Sequence, residues 1–364
     1  MRKVILLFIM AAAVFAAFVQ DVSSCTVFRM TAKDGNITIA RSMEFGVDLK
    51  YDIIVVPVNM TFESPTLFQT AGLKWTTKYG YTAVASMGLN YGVSEGMNEK
   101  GLSISALWYE STTKYQTVTK EESSKALAHI MYSDWILGNF STVDEVKEAT
   151  KNIKVFGYTD SDKLKSLVTL HFIVYDDKGG CIVVEYDNGQ CNIYDNPLGI
   201  MTNAPSLPWQ LTNLRQYVGL ENFNPITIKK DGFTVSPTGH GDGMFGIPGD
   251  YTPPSRFVRL AMFERFVNRQ DDKEGNLNLC QQIINTFTIP FGIIVDQDAQ
   301  GNVTASESTQ WVTFRDVTNK IMYFKTYENQ NLRMLDLNRL DYKAKDIKRI
   351  NMYGVKEIIT DITD

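Results

Sequence analysis

The sequence predicts an α+β protein in which two β-sheets pack together and helices lie outside them. Runs rich in β-branched and aromatic residues recur at both ends of the chain and in its middle. Two internal blocks instead space their apolar residues as helices do. Phe and Tyr are abundant, at 20 and 17 residues, which suits a β-rich core. The order that results is strands, helices, strands, helices, strands.

Residues 26–31 and 36–41 are expected strands on either side of a turn at Asp34-Gly35. Residues 51–56 continue the pattern until Pro57 interrupts it, and strand-like runs at 79–87 and 103–108 surround the segment 94–101. The texture then changes. Residues 121–137 carry apolar side chains at helical spacing, and 141–151 opens with Ser141 and acidic residues suited to a helix N-terminus. Strands return at 167–175, 181–186, 191–194 and 199–202, followed by a short helix over 205–217. A long Gly- and Pro-rich passage leads to helices at 256–269 and 276–287. Strands at 310–315, 320–327 and 332–335 complete the pattern, and 343–364 is left unassigned. No fixed-period repeat or low-complexity linker divides the chain.

Composition is that of a soluble globular protein: 364 residues, 44% hydrophobic, formal charge −5. The mild acidity speaks against a nucleic-acid partner. The N-terminus has the three parts of a secretory signal: Arg2 and Lys3, an apolar run over 4–19, then Val22 and Ser24 three and one residues before a cut. Residues 1–24 are therefore expected to be a cleaved signal peptide, with 25–364 a single domain exported to the periplasm or beyond. Cleavage would leave Cys25 first, with a thiol and a free α-amine on one residue, a nucleophile together with its base. A second fate competes for this cysteine. Val22-Ser23-Ser24-Cys25 loosely matches a lipidation site, which would acylate the amine and make a non-catalytic surface protein. The polar pair Gln20-Asp21 stands where such a site usually stays apolar.

The other cysteines, Cys181, Cys191 and Cys280, do not read as a disulfide framework. Asn188-Gly189 predicts a two-residue hairpin whose register sets Tyr186, not Cys181, opposite Cys191. Only three histidines exist. His129 falls on a predicted helix face, His171 inside a strand and His240 among glycines, so no Ser-His-Asp triad suggests itself. No CxxC, HExxH or clustered His/Cys spacing points to a metal, and no cofactor is expected.

One ordered set of segments carries more. It comprises residues 25–35, which begin Cys25-Thr26-Val27-Phe28-Arg29-Met30, then Ala40-Arg41-Ser42-Met43-Glu44, Glu95-Gly96-Met97-Asn98-Glu99-Lys100-Gly101-Leu102, Met201-Thr202-Asn203-Ala204-Pro205, residues 213–220, residues 248–257 and Thr326-Tyr327-Glu328-Asn329. Together these resemble the choloylglycine hydrolase family of N-terminal-nucleophile amidases, which contains conjugated bile salt hydrolases and penicillin V acylases. The resemblance spans essentially all of 25–364.

It implies a four-layer αββα sandwich and a cofactor-free amidase. Cys25 matches the family nucleophile and Arg41 the arginine beside its thiol. Asn203 matches the oxyanion-site asparagine and Arg256 a second active-site arginine. Glu44 stands where many members have Asp, keeping a carboxylate one methylene further out. Trp108 stands where bile salt hydrolases place Asn and penicillin V acylases Tyr, so the substrate-binding contact there differs. The implied substrate is a small-molecule amide joining a bulky apolar acyl group to a small amine. Residues 213–257 favour glycine- or taurine-conjugated bile acids and, through the family's assembly loop, a homotetramer. The aromatic Trp108 speaks for penicillin V or another N-acyl amide.

Overall fold

The structure is a computed structural model of the chain and describes residues 24–68, 70–110, 112–159 and 168–363. Apart from Ser24, the expected signal peptide lies outside the described residues, as does the first residue of the strand expected from 167.

The first half runs β1 (Cys25–Thr31), β2 (Ile37–Phe45), β3 (Asp52–Val56), β4 (Thr61–Glu63), β5 (Lys74–Thr76), β6 (Tyr81–Ala85), β7 (Glu95–Asn98), β8 (Ser103–Trp108) and β9 (Ala126–Ala128). Two helices follow, α1 (Tyr132–Asn139) and α2 (Val143–Thr150), then β10 (Lys154–Phe156), β11 (Leu170–Tyr175), β12 (Cys181–Asp187), β13 (Gln190–Asp195) and β14 (Ile200–Met201). Next come α3 (Leu207–Asn213), β15 (Ile228–Lys230), β16 (Phe233–Val235), α4 (Pro253–Phe266) and α5 (Lys273–Asn285). The chain closes with β17 (Ile294–Gln297), β18 (Val303–Asp316), β19 (Ile321–Thr326), β20 (Asn329–Asp336) and β21 (Lys348–Asn351).

Two antiparallel sheets dominate. One has 7 strands in the order β14-β1-β2-β18-β19-β20, with β17 added against β18; the other has 8, ordered β13-β12-β11-β8-β7-β6-β3-β21. Helices α4 and α5 pack on the first sheet, and α1 and α2 on the second. One apolar cluster joins the sheets to each other and to α4 and α5 through Val27, Ile39, Ile53, Leu107, Val183, Phe257 and Ile284. A second fills the space under α1 and α2 with Ile54, Ala83, Ile104, Trp135 and Val146. The layer order is therefore αββα, as expected.

Local chemistry explains most boundaries. Asn188 and Gly189 both take positive φ (53° and 79°), the requirement of the turn that Asn-Gly favours, and Tyr186 faces Cys191 as that turn predicts. Helix α4 begins at Pro253, three residues before the expected start. Proline is tolerated there because the first helical N–H groups have no intrahelical partner. Thr142, not Ser141, caps α2, through a reciprocal box with Glu145.

Three expectations need correction. The helix expected over 121–137 is mostly not helical: Ala126–Ala128 forms a buried strand parallel to Lys154–Phe156, and only Tyr132–Asn139 is α-helical. Burial on all sides makes this run look helix-spaced, because apolar residues then need no two-residue alternation. The strands expected at 36–41 and 310–315 extend to Phe45 and back to Val303, which brings Glu44 and Glu307 into the first sheet. The unassigned C-terminus supplies β21, which pairs with β3 at the edge of the second sheet.

Candidate active site

Antiparallel pairing of β1 with β2 sets Cys25 opposite Met43 and Val27 opposite Arg41. A strand alternates its side chains, so Cys25, Arg41 and Met43 share the face turned toward the second sheet. Cys25 is buried, and its Sγ lies 3.7 Å from Arg41 Nη2 and 3.6 Å from Met43 Sδ.

Arg41 is wholly buried, so its charge needs partners. Glu95 Oε1 accepts from its Nη1 at 3.0 Å, and the Ala106 carbonyl from its Nη2 at 2.9 Å. Burial opposes the Arg41 charge, yet Glu95 and then the Cys25 sulfur together raise its pKa. Glu95 itself is held by Trp311 Nε1 at 2.7 Å, by the Thr313 hydroxyl and by Arg315 at 3.4 Å. Burial pushes its pKa up, but Arg41 and Arg315 outweigh that and keep it low. The sequence places Glu95 in a matching segment without assigning it a task. Its task is visible only across the sandwich, where β7 of one sheet meets β2 and β18 of the other.

The nitrogen of Cys25 meets a second group. It donates to Asn203 Oδ1 at 2.8 Å, and Arg256 Nη2 donates to the same oxygen at 2.7 Å. Arg256 Nη1 also donates to the Cys25 carbonyl and, at 2.9 Å, to Thr26 Oγ1. Arg256 comes from the first turn of α4, and Asn203 stands two residues after the end of β14, which pairs with β1. The Thr202 carbonyl is fixed by His171 at 2.9 Å, with Glu185 on the other imidazole nitrogen at 3.2 Å and Tyr109 stacked on the ring. His171 is thus the hydrogen-bonded core residue its strand position suggests. His129 is likewise buried, with burial lowering its pKa to about 4, and His240 is exposed.

Asn203 Nδ2 donates to the Trp108 carbonyl at 2.8 Å. Trp108 therefore touches the site through its backbone, which any residue at that position supplies. Its indole packs edge-on to Phe45, and the indole N–H is buried without a hydrogen-bond partner.

Glu44 points to the other face of β2. Its backbone N–H donates to the Ser24 carbonyl at 3.1 Å, and its Oε1 accepts from Thr309 Oγ1 at 2.7 Å. Burial raises its pKa to about 7, against the pull of Thr309 and of Arg256. Glu307, two residues before Thr309, is a second buried carboxylate, raised to about 7 by burial. The Ser24 hydroxyl and then Arg256 draw it the other way, although neither oxygen makes a hydrogen bond of good geometry. Only the extended β18 reveals Glu307 and Thr309, since their sequence neighbourhood is polar and featureless.

Five of the six residues singled out from the sequence, Cys25, Arg41, Asn203, Arg256 and Trp108, are linked by these contacts, and Glu44 lies beside Ser24 at their edge. Among the described residues, no group of three or more His, Cys, Asp or Glu side chains is placed to hold a metal ion. Cys181, Cys191 and Cys280 are free and lie elsewhere.

Residues 25–350 match the family model described as linear amide C–N hydrolases, choloylglycine hydrolase family. A bile salt hydrolase/transferase from Clostridium perfringens is 30% identical over 327 residues, covering 89% of this chain and 95% of that protein. The crystal structure of a conjugated bile acid hydrolase variant from the same organism superposes with a TM-score of 0.80 at 28% identity, over 93% of this chain and 100% of that one. A penicillin V acylase from Pectobacterium atrosepticum is 24% identical over 323 residues, covering 84% of this chain and 78% of that protein. The chain belongs to the choloylglycine hydrolase family, with its αββα fold of the N-terminal-nucleophile type, and is a linear amide C–N hydrolase that uses an N-terminal cysteine nucleophile.

Proposed function

We propose that this enzyme hydrolyses the amide bond of glycine- or taurine-conjugated bile acids after residues 1–24 are removed as a signal peptide. The observation that carries this reading is the division of partners at Cys25, with Arg41 at the sulfur, Asn203 at the nitrogen, and Arg256 on Asn203 and the Cys25 carbonyl. Once freed, the amine keeps a hydrogen on Asn203 Oδ1 and has its lone pair available. The nearby Arg256 cation disfavours a second positive charge, which suits a neutral base. The amine takes the thiol proton, directly or through water, and the sulfur attacks the carbonyl carbon.

Asn203 Nδ2 carries two hydrogens, and Trp108 uses one, so the other is available to the oxyanion. Removing a comparable donor costs about 2.7–4 kcal/mol of transition-state stabilisation. The tetrahedral intermediate collapses as the ammonium protonates the leaving amine, and water then cleaves the thioester. Glu44, opposite Ser24 in the register, balances the ammonium while it exists. The proposal includes residues 25–364 as one exported domain. It also includes a homotetramer, supported by the apolar residues Phe223, Ile226, Ile228 and Phe233, which are 74%, 86%, 64% and 65% exposed around the β15–β16 hairpin.

The relative named as a bile salt hydrolase supports the choice of acyl group. Trp108 supports the second reading, a penicillin V acylase, because those enzymes resemble this chain in carrying an aromatic residue at that position. N-terminal sequencing and intact mass of the exported protein test the first step; a retained leader or an acylated Cys25 ends the proposal. Comparison of taurocholate, glycocholate and penicillin V then decides substrate. A kcat/KM about tenfold higher for penicillin V, or about 1.4 kcal/mol, selects the second reading.

A further inference from the structure

Where α5 ends, the segment from Asn285 to Pro290 crosses over β18 and β19 and leaves a cavity of about 210 Å³. Its wall includes Lys325 of β19, which pairs with Val312 of β18 in register. Lys325 is only 6% exposed. Its Nζ donates to Asn285 Oδ1 at 2.7 Å. An ammonium has three N–H donors, and a single neutral amide oxygen does not offset its charge.

A buried cation normally sits beside a carboxylate, because desolvating it alone is costly. Among the described residues no acidic side chain lines this cavity; the other polar groups there are hydroxyls and amides, including Thr288, Tyr327 and Gln330. Burial alone acts on Lys325, lowering its pKa, and no carboxylate works against that. The cation therefore lacks its counter-charge while the space beside it is open.

We propose that this cavity is a binding site for one small monoanion of carboxylate or sulfonate type, with Lys325 as its charged contact. Such a group accepts the remaining ammonium hydrogens as a charge-assisted pair and can take hydroxyl or amide hydrogens as well. The site lies apart from Cys25 but shares a wall with the catalytic region. Thr309, which lines the cavity, accepts the Ile289 N–H at 2.8 Å and donates to Glu44. An occupant thus touches the threonine that holds the Glu44 carboxylate.

The test is thermal unfolding of the mature enzyme in rising sodium acetate or sodium methanesulfonate, with ionic strength held constant by sodium chloride. Ligand that binds only the folded state raises Tm with the logarithm of its concentration once that exceeds Kd. We expect such a rise, above the sodium chloride reference, with at least one anion, its loss in Lys325→Met and its retention in Lys325→Arg. Methionine keeps most of the aliphatic stem, so that variant should fold; Lys325→Gln gives the same reading if it does not. Acetate and methanesulfonate together distinguish a carboxylate site from a sulfonate site. Flat curves, or a rise in Tm that is unchanged in both Lys325→Met and Lys325→Gln, would overturn the assignment and leave Lys325 a structural residue only.

Discussion

Asn203 Oδ1 and the Cys25 nitrogen are 2.8 Å apart, although 178 residues separate them in the chain. The contact exists because β14 pairs with β1, Val27 with Met201 and Phe28 with Ile200, and the same register continued by two residues carries Asn203 to the start of the first strand. Arg256 then closes the arrangement by donating to both residues.

Asn203→Ala should cut kcat by about 10²–10³, the loss expected for an oxyanion donor. The same change removes the acceptor shared by the Cys25 nitrogen and Arg256, so the pH–rate profile should shift with it. Steady-state kinetics across pH checks both; a normal kcat would exclude Asn203 from the transition state.

Glu95→Gln should destabilise the fold by about 3–5 kcal/mol, because it strips the charge from a wholly buried centre between Arg41 and Arg315. Urea denaturation reads this as a lower midpoint. Surviving folded enzyme should also turn over more slowly, since Arg41 loses the partner that holds it at the sulfur.

Two carboxylates make stability depend on pH in the chain that retains Ser24. Glu44 and Glu307 are both raised to about 7, above their ordinary values, so the folded state binds their protons more tightly than the unfolded chain does. Their contribution is complete below about pH 4.5 and is lost as pH rises through about 7. For the fully buried Glu44 this is on the order of 3 kcal/mol. Denaturation midpoints of a Ser24-retaining chain should fall over that window, and Glu44→Gln should flatten the fall. A midpoint independent of pH in this range would contradict it.

Thiol titration of the unfolded protein without reductant should find all four cysteines reactive. Cys181 pairs across the sheet with Tyr175, and Cys191 with Tyr186, so neither stands opposite another cysteine. Two missing thiols would show a bridge that this register does not allow.

The sequence by itself determined two packed sheets with outer helices, through its periodicities, and the Asn188-Gly189 hairpin, through a turn pair. The αββα layering and the set Cys25, Arg41, Asn203 and Arg256 followed from short motifs whose order resembles the choloylglycine hydrolase family. Tertiary structure alone decided three things. It gave Glu95 its place between Arg41 and Arg315, because that contact crosses from one sheet to the other. It set Glu307 and Thr309 beside Glu44, because antiparallel register joins residues more than 260 positions apart. It showed that Trp108 holds Asn203 through its carbonyl, a backbone contact that no side-chain pattern can announce.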